Sequence, residues 1–445
     1  MANQPQFAST GLPLGDTATS TTAAHRRLLL SGFLGTTIEW YDFLIYGFLG
    51  PVVFNRLFFP QVGALSGTIA VFGIFAVGFA ARPLGGLFFA HFGDRIGRKP
   101  IMVLTLVVAG VSTTAIGLIP TYAQMGISAA VVLTALRFFQ GFALGGESSA
   151  GPVLAMESAP HGKRGVFAAC VQSGAAAGTT LGAFAAFLVS ALPENAMLSW
   201  GWRVPFIASA VIFAVGFYVR MKVDESPVFR SAVAHKQPER VPLMAVLRRC
   251  KKPALLVLMC ALAESATFYF TSIFGVSYGI QTLHLSREWL LGGVVLGNVI
   301  GMFTNPMFGA ISDRIGRRTL LSSSYSLSAL YVLLLFFPML RTANAAIVVI
   351  AMTIPGAILQ PMSLAVSGAF YAELFDDARL RFSGVSLGRQ FGTILGGGIM
   401  PMISASLLAM SGGDLRWVIA YFVIICVIAF SATRIAHETA HGDLN

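Results

Sequence analysis

The chain has 445 residues, of which 56% are hydrophobic and only 11% charged, and its mean hydropathy is +0.75; it is too apolar and too poor in charge for a soluble protein of this size. At about 20 apolar residues per spanning helix, it has room for about a dozen membrane spans and no sizeable soluble domain. A net charge of +11 could suit nucleic acid, but the basic residues sort by membrane side instead of gathering in one patch, so no nucleic-acid partner is expected.

In chain order, Met1 to Ala24 is rich in Thr, Ser, Ala and Pro. Residues 1–27 read as a disordered tail without the basic start and cleavage site of a signal peptide. The first apolar run, at about 28–50, carries Glu39 and Asp42 at helical spacing i and i+3, with Tyr46 one turn beyond, so both carboxyls can face one polar cavity. An ionisable group within a span costs about 2.5–3.5 kcal/mol on insertion scales and marks a substrate path or proton relay by default. A helix end snorkelling to the interface is the plainer reading; it is disfavoured because Arg26 and Arg27 already mark that end of the run.

Further apolar runs fall at about 65–91, 100–119, 128–156, 165–191 and 204–220, then at about 254–280, 289–310, 319–340, 345–370, 382–410 and 416–433. The expected organisation is an all-α polytopic protein with six spans in 28–220, a linker in 221–253, six more spans in 254–433 and a tail in 434–445. The linker holds Asp224-Glu225-Ser226-Pro227 and Arg248-Arg249-Cys250-Lys251-Lys252, a composition for solvent, with a short amphipathic helix predicted from Pro242 to Arg249.

Taking the loops alternately, most of the 30 Lys and Arg lie on one side. Arg56, Arg203, Arg287, Arg341 and Arg416 fall on the other, and Arg82, Arg137 and Arg389 lie within spans. The positive-inside rule then places the linker and both termini in the cytoplasm.

The two halves repeat. Gly93-Asp94-Arg95-Ile96-Gly97-Arg98-Lys99 follows the second span and Ser312-Asp313-Arg314-Ile315-Gly316-Arg317-Arg318 the eighth, with Asp313 placed 219 positions after Asp94. Nearly the same offset relates Glu157 with Arg164 to Glu373 with Arg381, Gln172 to Gln390, and Trp202-Arg203 to Arg416-Trp417. Duplicated halves in transporters place the substrate at the midplane between them. Cys170, Cys250, Cys260 and Cys426 and the seven histidines are dispersed without ligand spacing, so no metal, disulfide or cofactor is expected. The sequence offers no paired nucleophile and base either, and the chain is read as a non-enzyme.

These residues resemble the major facilitator superfamily over essentially the whole chain. The loop motif after spans two and eight and Arg137-Phe138-Phe139-Gln140-Gly141 in span four look like its two signatures. Glu39-Trp40-Tyr41-Asp42-Phe43, Arg82-Pro83-Leu84-Gly85-Gly86, Gly145-Gly146-Glu147 and Trp200-Gly201-Trp202-Arg203-Val204-Pro205-Phe206 are similar to its metabolite:proton symporters, which include carriers of shikimate, alpha-ketoglutarate, citrate and proline/betaine. Where the superfamily pattern expects Gly before the motif aspartate, the second copy has Gly309 and the first Ala90.

The resemblance implies a twelve-helix fold and proton-coupled symport by alternating access. It pairs Asp42 with Arg137, with Glu39 as coupled neighbour and Glu264 of span seven as a second acid. Dehydration disfavours a carboxylate and a nearby guanidinium favours it, so movement of the halves can load and unload a proton. A static ion pair between spans one and four is the alternative.

Arg82, Arg137 and Arg389 suit a carboxylate held in two-pronged contact. Tyr41, Gln172, Tyr269, Asn298, Gln360 and Gln390 are further candidate substrate contacts, each taken alone more often a helix-to-helix hydrogen bond than a ligand contact, and Glu147, beside Gly145 and Gly146, is a candidate equally consistent with tight helix packing. Asp94, Arg95, Arg98, Asp313, Arg314 and Arg317, with Glu157, Arg164, Glu373 and Arg381, form the expected cytoplasmic gate. In it, Asp94 and Asp313 sit at the N-termini of spans eleven and five.

The expected function is import of a small organic acid with protons across a bacterial-type inner membrane, by a chain that works as a monomer, with a shikimate-like hydroxylated monocarboxylate favoured. Di- or tricarboxylates, aromatic acids and zwitterions such as proline or betaine are the alternative substrates. An uncoupled facilitator, an exporter and a receptor are the alternative activities.

Overall fold

The computed structural model describes residues 15–96, 98–145, 150–160, 162–222, 249–376 and 378–440. In the first half α1 is Gly15–Leu49, continued by a wide π turn at Gly50–Phe54 and by Asn55–Phe58; α2 is Ala64–Ile96 and α3 Arg98–Ile116. Helix α4 is Ile127–Gly145 with a second piece, Ala150–Glu157; α5 is Arg164–Ser190 and α6 Arg203–Lys222. In the second half α7 is Lys251–Gln281, α8 Arg287–Ile315, α9 Arg317–Arg341, α10 Ala345–Glu373, α11 Ala378–Thr393 continued by Ile394–Gly398 and Met400–Met410, and α12 Leu415–Ile435.

Among the described residues nine helices are long and apolar enough to cross a membrane. The pair Glu194–Gly201 and Arg203–Ala214, bent by 42°, passes the same test of length and composition only when taken together. With the apolar Val103–Ile116 of α3 and the acid-bearing α1, the chain forms two sets of six. Phe303, Met410 and Trp417 lie exposed on the outside, which suits a lipid solvent that asks only for satisfied backbones.

Small residues let these helices touch backbone to backbone, and the pattern repeats between the halves. A Cβ at Gly178 of α5 would overlap the Thr37 carbonyl oxygen of α1, and one at Gly396 of α11 would overlap the Leu262 carbonyl oxygen of α7. Likewise Gly141 of α4 lies on the Gly78 carbonyl of α2, and a Cβ at Gly301 of α8 would sit 2.5 Å from the Gly356 oxygen of α10. The long apolar rods are interrupted by π turns at Tyr269–Phe274, Pro355–Leu359 and Ile394–Gly398, a device common where side chains must be re-aimed. At Pro355 the missing N–H gives the local cause.

The halves meet along two seams, α5 against α8 and α2 against α11. At the end bearing the 312–318 motif, called here the basic end, Asp313 accepts hydrogen bonds from Gly165 N (2.9 Å) and Val166 N (3.1 Å). At the opposite end Gln281 of α7 donates to Thr68 Oγ1 of α2 (2.7 Å) and to Pro51 O (3.3 Å). Both ends are therefore bridged across the halves.

Two expected boundaries shift. Helix α1 begins at Gly15, inside the segment expected to be disordered, because extending a helix already anchored by a span adds one bond per residue without a new nucleus. The tail beyond α12 is docked as far as Ala440. Glu438 accepts from Arg317 N (2.8 Å) and Arg318 N (3.2 Å) at the start of α9, and Thr439 Oγ1 donates to Glu373 (2.6 Å). The amphipathic helix expected at Pro242 to Arg249 falls almost wholly outside the described residues.

Candidate functional site

Asp42 and Arg137 are each 0% exposed, on α1 and α4, and they do not pair directly as expected. Gln140, one turn after Arg137, stands between them. Its Nε2 donates to Asp42 Oδ2 (2.8 Å), to the Asp42 carbonyl (3.2 Å) and to Thr113 Oγ1 of α3 (2.7 Å), while its Oε1 accepts from Arg137 Nη1. Chemistry fixes this amide orientation. The Arg137 fork only donates and the Asp42 carbonyl only accepts, so the amide oxygen faces Arg137 and the nitrogen Asp42; Thr113 Oγ1 also lies 3.0 Å from Ala109 O.

Asp42 Oδ1 and Arg137 Nε and Nη2 are left without hydrogen-bond partners among the described residues. The Arg137 guanidinium instead lies over the rings of Tyr46 (4.3 Å), Phe43 (4.4 Å) and Phe75 (5.2 Å), a cation–π environment. Arg82 of α2 lies 4.2 Å from the centre of the same Phe43 ring and 4.8 Å from Phe79, and its buried Nε also lacks a partner among the described residues.

Glu39 is half-buried and engaged by neighbours, with Tyr269 of α7 within electrostatic reach. Asp42 thus turns to α3 and α4, while Tyr269, within reach of Glu39, is also within electrostatic reach of Arg82 and Arg137. Tyr41 donates to Pro205 O of α6 (3.0 Å); it ties two helices of one half together and does not face the centre.

In the second half Glu264 is 4% exposed and both its oxygens are engaged, by Arg389 Nη2 (3.4 Å) and by Tyr371 OH (2.7 Å). Arg389 is accordingly an ion-pair partner in this arrangement. Gln390 reaches Ser386 Oγ (3.2 Å) and lies beside Gly86 of α2. Where α7 enters its π turn, Phe268 and Tyr269 meet the first half at Trp40 (5.5 Å between ring centres), Phe79 (5.4 Å) and Phe75 (5.8 Å).

Between the halves a cavity of about 10 Å³ is lined by Trp40, Thr179, Phe268, Asn298, Asn305 and Gln360, among others, the room of about one water molecule. Asn298 and Gln360 line this pocket between the halves. Asn298 donates to Val294 O of its own helix (2.9 Å), while Gln360 Oε1 and Asn305 Oδ1 have no partner among the described residues. Gln172 is buried with Nε2 unpartnered among the described residues. Glu147 lies outside the described residues.

At the basic end Arg317 is 1% exposed and pairs with Asp313 (2.7 Å) and Glu373 (3.4 Å), while Arg381 reaches Glu157 (3.5 Å). The Glu157–Arg381 pair crosses from α4 to α11. Asp313 accepts from the first amides of α5; Arg314 is exposed and takes no ion pair among the described residues. Arg164 is engaged, and the side chains of Asp94, Arg95 and Arg98 lie outside the described residues. Sequence reasoning missed Gln140, Thr113, Tyr371, Glu438 and Thr439. Only Gln140 carried a signal, its i+3 spacing from Arg137.

A family model described as Major Facilitator Superfamily matches residues 32–367. The chain is 35% identical over 417 residues to a shikimate transporter of Escherichia coli (strain K12), covering 93% of this chain and 95% of that one. It is also 35% identical over 445 residues to the inner membrane metabolite transport protein YhjE of the same organism, covering 96% and 100%. Among solved structures, a proton:xylose symporter, XylE, bound to 6-bromo-6-deoxy-D-glucose superposes with a TM-score of 0.73 at 14% identity, covering 95% of this chain and 98% of that one.

Proposed function

Because the chain belongs to the major facilitator superfamily and is a multi-pass membrane transporter rather than an enzyme, we propose that it is a proton symporter that imports a hydroxylated monocarboxylate. The observation that carries this reading is the buried cluster of the first half. Two guanidiniums, Arg82 and Arg137, keep donors without partners among the described residues beside a fully buried acid, Asp42, with an unpartnered oxygen. Surplus buried cation calls for an anion, and the acid supplies a place for a proton.

One monoanion entering with one proton moves no net charge, so a pH gradient alone drives it. A dicarboxylate needs two protons for the same neutrality, since each uncompensated charge is worth about 2.3 kcal/mol per 100 mV. The similarity to a shikimate transporter supports the substrate class, and that to an inner membrane transport protein supports that location. The charge asymmetry of the loops supports a basic end facing the cytoplasm.

The test begins with a thermal-shift screen of mono-, di- and tricarboxylates, aromatic acids and betaines, in which a ligand of the folded state raises the melting temperature. The best ligand is then followed into proteoliposomes with an acidic exterior. Uphill uptake is expected in the native protein and at least tenfold less in Asp42→Asn. Undiminished gradient-driven uptake by Asp42→Asn would refute the mechanism.

A further inference from the structure

Gln140 holds an acid and a base of one site at two ends of a single amide. Arg137 is bonded to Oε1 and Asp42 to Nε2, and the donors and acceptors around the amide forbid the flipped orientation. The guanidinium is steadied away from the carboxylate by the faces of Tyr46 and Phe43, while Thr113 of α3 anchors the amide from its other side. The second half, which lacks such a spacer, joins its buried acid directly to its arginine through Glu264 and Arg389. Both Glu264 oxygens are engaged there, whereas Asp42 Oδ1 has no partner among the described residues.

We propose that Gln140 is the positioning residue of proton coupling: its amide keeps Arg137 off Asp42, so that the carboxyl remains available to a proton and the guanidinium to an anion. The inference rests on the reading of Asp42 as proton carrier. Coulomb attraction falls with distance and rises with burial, so a spacer that prevents a closed ion pair keeps both partners responsive to a third charge. Arg82, which also lies against the Phe43 ring, is the other cation beside this site.

The test needs no substrate. Infrared difference spectra of the full-length protein in lipid, acid minus alkaline, are recorded for the native protein, Asp42→Asn, Gln140→Met and Gln140→Asn. Methionine keeps the length of the side chain without the amide, and asparagine keeps the amide but is too short to span both partners. The expected result is a carboxylic C=O band that titrates in the native protein, is absent in Asp42→Asn, and shifts in frequency in both Gln140 variants because the donor to Oδ2 is lost. A mere packing role lowers the melting temperature without moving that band.

A band removed by Asp42→Asn but unmoved in whichever Gln140 variant folds overturns the role of Gln140 and leaves the proton reading standing. If Asp42→Asn removes no titrating band, the proton reading itself falls, and the role of Gln140 with it.

Discussion

Arg137 shows how one side chain can be charged, buried and only partly bonded. Its stem is inside α4, its Nη1 is taken by Gln140, and its planar face lies on Phe43 and Tyr46. A direct contact with Asp42 at 4 Å would be worth about 4 kcal/mol at an effective dielectric of about 20, enough to hold both groups permanently ionised; the amide between them relaxes that lock. A compact ammonium cannot lie flat on two rings and also hold Gln140. Arg137→Lys is therefore expected to reduce uptake of the screened ligand more than tenfold while the protein stays folded, as measured by initial rates and by its melting curve. The sequence placed Asp42, Arg137 and Arg82 in the membrane because an apolar run makes every charge conspicuous. It could not reveal that a neutral glutamine intervenes, since polar residues at helical spacing are common and only the approach of α1, α3 and α4 selects which of them meet.

At the scale of elements, packing of the paired helices depends on backbone contact. Helices α2 and α4 approach so closely at Gly78 and Gly141 that any side chain at 141 enters the facing carbonyl. Gly141→Ala is expected to destabilise the protein by about 1–3 kcal/mol, the usual cost of overpacking, visible as a lower melting temperature in detergent or lipid. The same separation sets the distance from Arg137 of α4 to Phe75 of α2, so residual transport should fall as well. The spans themselves were legible as apolar runs. The docked tail was not, because Glu438 and Thr439 read as ordinary polar residues until α9 places its free N-terminal amides beside them; there a carboxylate is favoured by the helix dipole.

For the whole molecule, hydrogen bonds join the two halves at both ends, and among the described residues a pocket between the halves has room for about one water. A substrate passing between the halves at the end opposite the basic one must part the hydrogen bonds from Gln281 to Thr68 and Pro51, which are few enough to break and re-form. In the double variant Thr68→Cys with Gln281→Cys, joining the two introduced thiols with a short reducible bifunctional reagent should stop uptake. Uptake should return once the link is cut; continued transport by the fully linked protein would exclude opening at that end. At the basic end Arg317, Asp313 and Glu373 form a buried ionic knot, continued by Thr439 on one side and by the α5 amides on the other.

The sequence by itself determined the number of spans, the duplication, the family and the residues whose charge must have a reason inside a membrane. These properties follow from local hydropathy, spacing and repetition, which a linear chain displays without folding. The tertiary structure alone decided the pairings. Glu264 rather than Asp42 meets its arginine directly, Tyr41 serves packing, Glu157 crosses to Arg381, and the tail caps α9. Partners of that kind depend on which faces two helices present and on how closely glycine lets them approach, and neither is written in the order of residues along one strand of chain.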